Sequence, residues 1–366
     1  MTGMKTWMVG RLFVLAFWSV VAGCGREGVP DERSLAPRTP DIQLEPMPSR
    51  IELQLASAGE VGSLHAGGGT LFGFLSDVVP TSDSTFVIVD PRMQEVTELD
   101  WSGRRLRSYG RRGSGPGEFA QPWLAQVDST SLLILDGASG GLLEYDLATG
   151  AGRTVADGLA SGATWFVRAA DGRLVWWEPQ RADPLALSSL AAPLPVRYSL
   201  RRAAVESGFG DRLVSDGGAA CVWKGQTVLV ANVWAYELLE VDARTGAVGR
   251  RFVQRDDPVV RERRDSLTGL TVPGAGSLGL VCSDHLVVLG LIELHSRDIV
   301  YDFYDAALRP LARLRFRRGG TGDSANAAYP GYLAGVGADW LVTYRNMPYP
   351  VVLRFRVHRS EPAPAR

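Results

Sequence analysis

Lysine is almost missing from this 366-residue chain: Lys5 and Lys224 stand against 37 arginines. With 40 acidic residues the formal net charge is only −1, so nothing marks a polyanion-binding surface. The arginine excess reads as the base composition of a GC-rich gene rather than as phosphate recognition. Cysteine and histidine are also scarce, at three and four residues. His65, His285, His295 and His358 show no ligand-type spacing, which argues against a zinc-type centre. No basic run exists that would hold nucleic acid. No apolar run reaches the ~20 residues needed to span a bilayer, and no segment of ten residues or more carries a convincing helical period.

The first residues are the most informative. Lys5 and Arg11 precede the apolar run Leu12 to Ala22, which ends at Val21-Ala22-Gly23-Cys24. A charged start, a short apolar core and small residues before a cut make a secretory signal. The small-small-Cys ending resembles the bacterial lipobox, in which the cysteine is acylated and becomes the first mature residue. The alternatives are an ordinary signal cut after Ala22 or Gly23, or a membrane anchor. The resemblance implies a lipoprotein: residues 1–23 a signal peptide, Cys24 bearing palmitate-type chains, and the protein held at the cell envelope. Gly25 rather than Asp after Cys24 points to the outer membrane where the host has two. Losing the leader removes Lys5 and Arg11 and moves the net charge to −3.

From Cys24 to Ser49 the chain has Pro30, Pro37, Pro40, Pro46 and Pro48 without apolar periodicity, which reads as a semi-rigid tether. Residues 360–366 read as a disordered tail. Residues 50–359 then form one domain, in which short apolar or alternating strands are separated by turn residues.

The repeat is plainest in two neighbouring units. Asp77-Val78-Val79, Phe86 to Asp90, Glu95 to Asp100, a Ser102-Gly103 turn and Arg104 to Tyr109 make the first. About 46 residues on, Trp123 to Val127, Leu132 to Asp136, Leu142 to Asp146, a Thr149-Gly150 turn and Gly152 to Ala156 repeat it. Four strands per unit is the composition of a propeller blade. Further units run over Thr164 to Leu200, Gly218 to Phe252 and Ser277 to Phe316. Tyr332 to Val336, Trp340 to Tyr344 and Val351 to Val357 supply three strands of a sixth unit. Arg50 to Leu55 has no unit of its own and would close the ring as the outer edge of that last blade. The expectation is an all-β, six-bladed β-propeller of four-stranded blades.

Between the first two units lies Tyr109-Gly-Arg-Arg-Gly-Ser-Gly-Pro-Gly-Glu-Phe119, then Gln121-Pro122. This order resembles the inter-blade connection of NHL-repeat proteins and of related six-bladed propeller lipoproteins. The match covers Phe86 to Asp146; the later linkers lack the Gly-Glu-Phe core. A phosphate cradle would need a Gly-x-Gly-x-x-Gly opening a helix or a Gly-Lys-Ser/Thr ending, and neither is present. The glycines instead permit the turn from one blade's rim to the next blade's axis, with Phe119 between blades.

Cys221 and Cys282 fall near the ends of expected inner strands of successive blades and can pair outside the cytoplasm; buried free thiols are the alternative. A closed loop of about sixty residues would contribute roughly 4 kcal/mol. Arg92, Arg181, Trp234, Tyr236, His295 and Tyr349 lie in loops joining second to third strands and mark a candidate recognition face. Propellers that hydrolyse lactones hold calcium at the axial opening, and Asp90, Asp136 and Asn232 end second strands there, although Asp at a strand end is commonly a turn former.

Three functions follow. The first is a non-catalytic module binding an envelope protein or small ligand, without a cofactor. The second is a calcium-type hydrolase or lyase with its site in the channel. The third is a structural part of an envelope assembly, which a large apolar patch on the loop face would favour.

Overall fold

The structure is a computed structural model that describes residues 41–48, 53–62, 71–158, 162–178, 185–189, 192–198, 218–232, 236–254, 257–259, 261, 263–264, 271–272, 274–316, 330–346 and 349–359. Residues 1–23, expected as a signal peptide, Cys24 and the tail expected at 360–366 lie outside these residues. The described chain is strand and turn throughout, without a helix.

In chain order, β1 (Asp41–Gln43) and β2 (Leu53–Val61) precede the first meander, β3 (Asp77–Pro80), β4 (Thr85–Asp90), β5 (Glu95–Asp100) and β6 (Arg105–Ser108). The second is β7 (Pro122–Val127), β8 (Ser131–Asp136), β9 (Leu142–Asp146) and β10 (Gly152–Ala156). The third is β11 (Trp165–Arg168), β12 (Arg173–Trp177), β13 (Leu185–Ser189) and β14 (Ala192–Tyr198). The fourth is β15 (Ala219–Lys224), β16 (Thr227–Ala231), β17 (Glu237–Asp242) and β18 (Val248–Val253). A ribbon of β19 (Arg263–Arg264) and β20 (Thr271–Val272) intervenes. The fifth meander is β21 (Ala275–Cys282), β22 (Leu286–Glu293), β23 (Ile299–Asp305) and β24 (Pro310–Phe316), and β25 (Tyr332–Val336), β26 (Trp340–Arg345) and β27 (Val351–Arg359) end the chain. The result is five antiparallel four-stranded sheets and one five-stranded sheet.

The second strand of each sheet has an apolar, buried central stretch because both of its faces are covered by neighbouring sheets. Strand period sends alternate side chains to opposite neighbours. Leu132 and Ile134 of β8 pack with Val87, Val89 and Phe119, whereas Leu133 and Leu135 pack with Phe166, Leu174 and Trp176. The same partition joins the third sheet to the fourth, the fourth to the fifth and the fifth to the last. Val342 and Val352 of the last sheet then pack on Val78, Phe86 and Ile88 of the first. Sheets packed face to face in a closed ring make a β-propeller.

The outer strands carry arginines matched by carboxylates of the inner neighbours: Arg105 with Glu95, Arg153 with Glu144 and Arg250 with Glu240 of third strands, and Arg315 with Glu293 at the end of β22. Exposed pairs of this kind contribute about 0–1 kcal/mol each. Third strands end in an aspartate that caps the following turn, as Asp100, Asp146, Asp242 and Asp305 accept backbone N–H bonds two to four residues on.

β2 lies outermost in the last sheet and pairs antiparallel with β27 from Leu53↔Arg359 to Val61↔Val352. The strand expected at Arg50 to Leu55 thus runs further into the chain. The tether also ends earlier than residue 49. β1 adds in parallel to β18, Asp41 pairs with Arg251 at 3.2 Å, Gln254 donates to the Leu44 carbonyl, and Leu44 is buried among the fourth sheet's side chains. Proline-rich composition hid this short edge strand.

Candidate functional site

The first strand of every sheet faces the axis. β3, β7, β11, β15, β21 and β25 all contribute to one cavity of about 380 Å³. Its wall mixes apolar side chains, Val79, Leu124, Val167, Ala220, Leu280 and Leu333 among them, with the polar Asp77, Gln126, Thr164 and Tyr344 and with strand backbone. Cys221 and Cys282, on β15 and β21, are joined by a disulfide in this wall, Cα–Cα 5.6 Å.

Each first strand begins on the face that carries the loops joining second to third strands, termed the mouth face. Asp77, the first residue of β3, stands opposite Val89 at the mouth end of β4. Its Oδ1 accepts the Val78 N–H and its Oδ2 the Ala125 N–H of β7, both at 2.9 Å. Burial pushes the Asp77 carboxyl up to about 7, and the two backbone N–H bonds offset this only in part. Tyr344 of β26 also lines the cavity, and its hydroxyl donates to the Ser76 carbonyl at 2.9 Å. Burial, then the Asp77 charge, drives the Tyr344 phenol well above its usual range.

The expected recognition residues divide. Arg92 and His295 are exposed and Tyr349 is half-buried, all in loops on the mouth face. Arg181 and Trp234 lie outside the described residues. Tyr236 is a correction: it is 2% exposed. Its hydroxyl donates to Asp302 and meets the Tyr304 hydroxyl. It opens β17 with its ring turned toward the fifth sheet, so the Trp-Ala-Tyr segment is not surface throughout. Arg313 clamps Asp302 through two 2.6 Å hydrogen bonds and reaches Asp257 at 2.8 Å. Burial raises the Asp302 carboxyl, while Arg313, held by two carboxylates, keeps its proton.

The residues weighed as calcium ligands do not fit that role. Asp90 accepts N–H bonds from Gly73, Phe74, Arg92 and Met93. Asp136 accepts from Ala120, Gln121, Ala138 and the Ser139 hydroxyl. Asn232 donates to Glu237. The two aspartates use their oxygens to fasten the incoming linker to the second strand's end, and Asn346 does the same for Leu75. Among the described residues no group of three or more His, Cys, Asp or Glu is arranged to hold a metal ion.

The glycine-rich connection is likewise structural. The Glu118 carboxylate folds back to accept the Gly115 N–H and the Arg111 Nε–H, and a Cβ on Gly113 would lie 2.0 Å from it. Phe119 is fully buried between the first two sheets.

Sequence reasoning missed Asp77, Tyr344, Trp123 and Tyr332. The usable signal was position: each stands at the mouth end of a first or second strand, and Trp123 and Tyr332 are large aromatics left partly exposed there.

The fold is similar to that of a Bacteroides fragilis NCTC 9343 protein described as exported, with 11% identity, 88% of this chain and 100% of that one covered, and a TM-score of 0.55. A DUF4221 family member from Bacteroides vulgatus ATCC 8482 gives 8% identity, 84% and 99% coverage and a TM-score of 0.52. A calcium-binding regucalcin of Agrobacterium tumefaciens C58 gives 16%, 85% and 98%, and 0.48. Likeness at these identities is likeness of fold. No protein-family model and no curated protein matches the sequence.

Proposed function

We propose that this chain is an extracytoplasmic lipoprotein of the NHL-like propeller type, anchored through Cys24, with six blades and a closing strand, that binds a small ligand in its axial channel without transforming it. The observation that carries the reading is the channel itself. A cavity of about 380 Å³ walled by aliphatic side chains interspersed with Asp77, Gln126, Thr164 and Tyr344 has the size and mixed lining of a small-molecule site. The six-blade count rests on the six meandering sheets and on the packing of the last against the first. The leader sequence supports the address. A hydrolase is the weaker reading, since Asp90 and Asp136 are committed to backbone N–H groups.

The test is native mass spectrometry of the full-length mature protein extracted from membranes. Wild type should carry a small-molecule adduct that Ala220→Trp, which plugs the channel, loses; Ala334→Phe is the second plug should the first disturb folding. An adduct kept by both plugged proteins, or none in wild type, removes the channel reading. Radiolabelled palmitate should enter wild type and not Cys24→Ala.

A second reading has one observation behind it. Phe74, Met93, Trp123, Leu294 and Tyr332 are five of the eight exposed large apolar side chains of the described residues, and all lie on the mouth face. Docking of an envelope protein there would make capture from the envelope fraction sensitive to Met93→Glu and Trp123→Glu, with the plugged channel indifferent.

A further inference from the structure

Among the described residues Asp77 is the only carboxylate lining the channel. Among the described residues no arginine or lysine forms an ion pair with it, and no cation figures among the influences on its ionisation. Its two backbone N–H partners fix its orientation and leave each oxygen with acceptor capacity. A merely structural acceptor of two N–H bonds need not be ionisable, and burying a carboxylate without a counter-charge is costly. That cost is recovered when a cation arrives.

Aromatic faces stand beside it. Tyr344 lines the cavity and is held against the residue preceding Asp77. Tyr332, 42% exposed at the mouth end of β25, lies against the Tyr344 ring at 5.5 Å between centroids. Carboxylate together with tyrosine rings is the chemistry that recognises ammonium groups, and the aliphatic side chains of the wall, Val79, Leu124 and Leu280, offer contact to a hydrocarbon body.

We propose that Asp77, Tyr344 and Tyr332 form a recognition site for a small organic cation, an amine or quaternary ammonium with an apolar body that enters the channel from its mouth. This inference rests on the channel-binding reading above.

The test is calorimetric titration of the full mature protein at pH 8 with three probes of one shape and different charge: 2-phenylethylamine, 2-phenylethanol and phenylacetate. The amine is expected to bind at least about tenfold more tightly than the alcohol, a difference of about 1.4 kcal/mol, and phenylacetate not at all. Asp77→Asn should erase the preference, and Tyr332→Leu, at an exposed position that folding tolerates, should weaken the amine about two- to fivefold. Equal affinity for amine and alcohol, a preference for phenylacetate, or no amine binding in the millimolar range overturns the cation assignment. The channel reading is judged separately, by whether the plugged proteins lose their adduct, so the two can fail independently.

Discussion

Two carboxylates, one fully buried and one half-buried, lie between sheets of this propeller under opposite regimes. Asp302, inside β23, is fully buried, held bidentately by the Nε–Nη2 edge of the Arg313 guanidinium and supplied with the Tyr236 hydroxyl. Asp77, at the start of β3, has two backbone N–H bonds, no cationic partner among the described residues, and a cavity in front of it. A charge compensated on the spot is part of the scaffold, and one left uncompensated beside open space is available to a ligand. The side of the ring that holds Asp302 is also the side stapled by Cys221–Cys282, whereas Asp77 lies in the first sheet and is hydrogen-bonded to β7 of the second.

Removing the compensation should give the largest effect. Arg313→Met leaves Asp302 and Asp257 buried without a counter-charge and is expected to cost about 3–5 kcal/mol in denaturant unfolding. No comparable loss is expected at Asp77, which has no cationic partner among the described residues.

Titration sharpens the contrast. The folded Asp77 carboxyl titrates at about 7 against an ordinary value of 3.8, so the folded state binds its proton more tightly than the unfolded chain does. The contribution is therefore full below pH ~4, declines as pH rises toward about 7 and is then constant, a change on the order of 4 kcal/mol. Tyr344, the other ionisable group facing the cavity, stays neutral across this window. Wild type minus Asp77→Asn, followed by unfolding free energy from pH 4 to 8, should show this fall; a flat difference would mean that water reaches the carboxyl freely. Amine binding should run the other way and strengthen as pH rises through 7.

The staple comes next. Replacing Cys221 and Cys282 by alanine should cost about 2–4 kcal/mol, since the pair closes a 61-residue separation. If the cystine is scaffold only, amine affinity is preserved in the folded variant.

What the sequence disclosed depended on how local the determinant was. The strands, the 46-residue spacing of Asp90 and Asp136 and the packing of Phe119 are written in contiguous residues, and β4, β8 and β12 stand where the apolar runs put them. β1 was missed because three residues in a proline-rich segment carry no period, and they become a strand only through β18. Tyr236 was read as surface since its neighbours look like a loop, while its partners Asp302 and Tyr304 come from the next sheet. A charged residue amid Ile299-Val-Tyr-Asp-Phe-Tyr was the available sign of a buried pair. Asp77 resembled one more aspartate beside a strand, and its meaning arises only when ring closure brings the Tyr344 hydroxyl to Ser76, 268 residues earlier.

The smallest expected effect separates ring from hydroxyl at that closure. Tyr344→Phe removes the hydrogen bond to the Ser76 carbonyl and should cost about 1 kcal/mol of stability. It keeps the aromatic face, so amine affinity should stay within about twofold, as expected where the ring's charge distribution meets the cation. Tyr344→Leu removes the face as well and should weaken the amine without changing affinity for the alcohol. A Phe variant that loses amine binding as fully as Leu would shift recognition from the ring to the hydroxyl, and Asp77 would then act with a hydrogen-bond donor rather than with an aromatic wall.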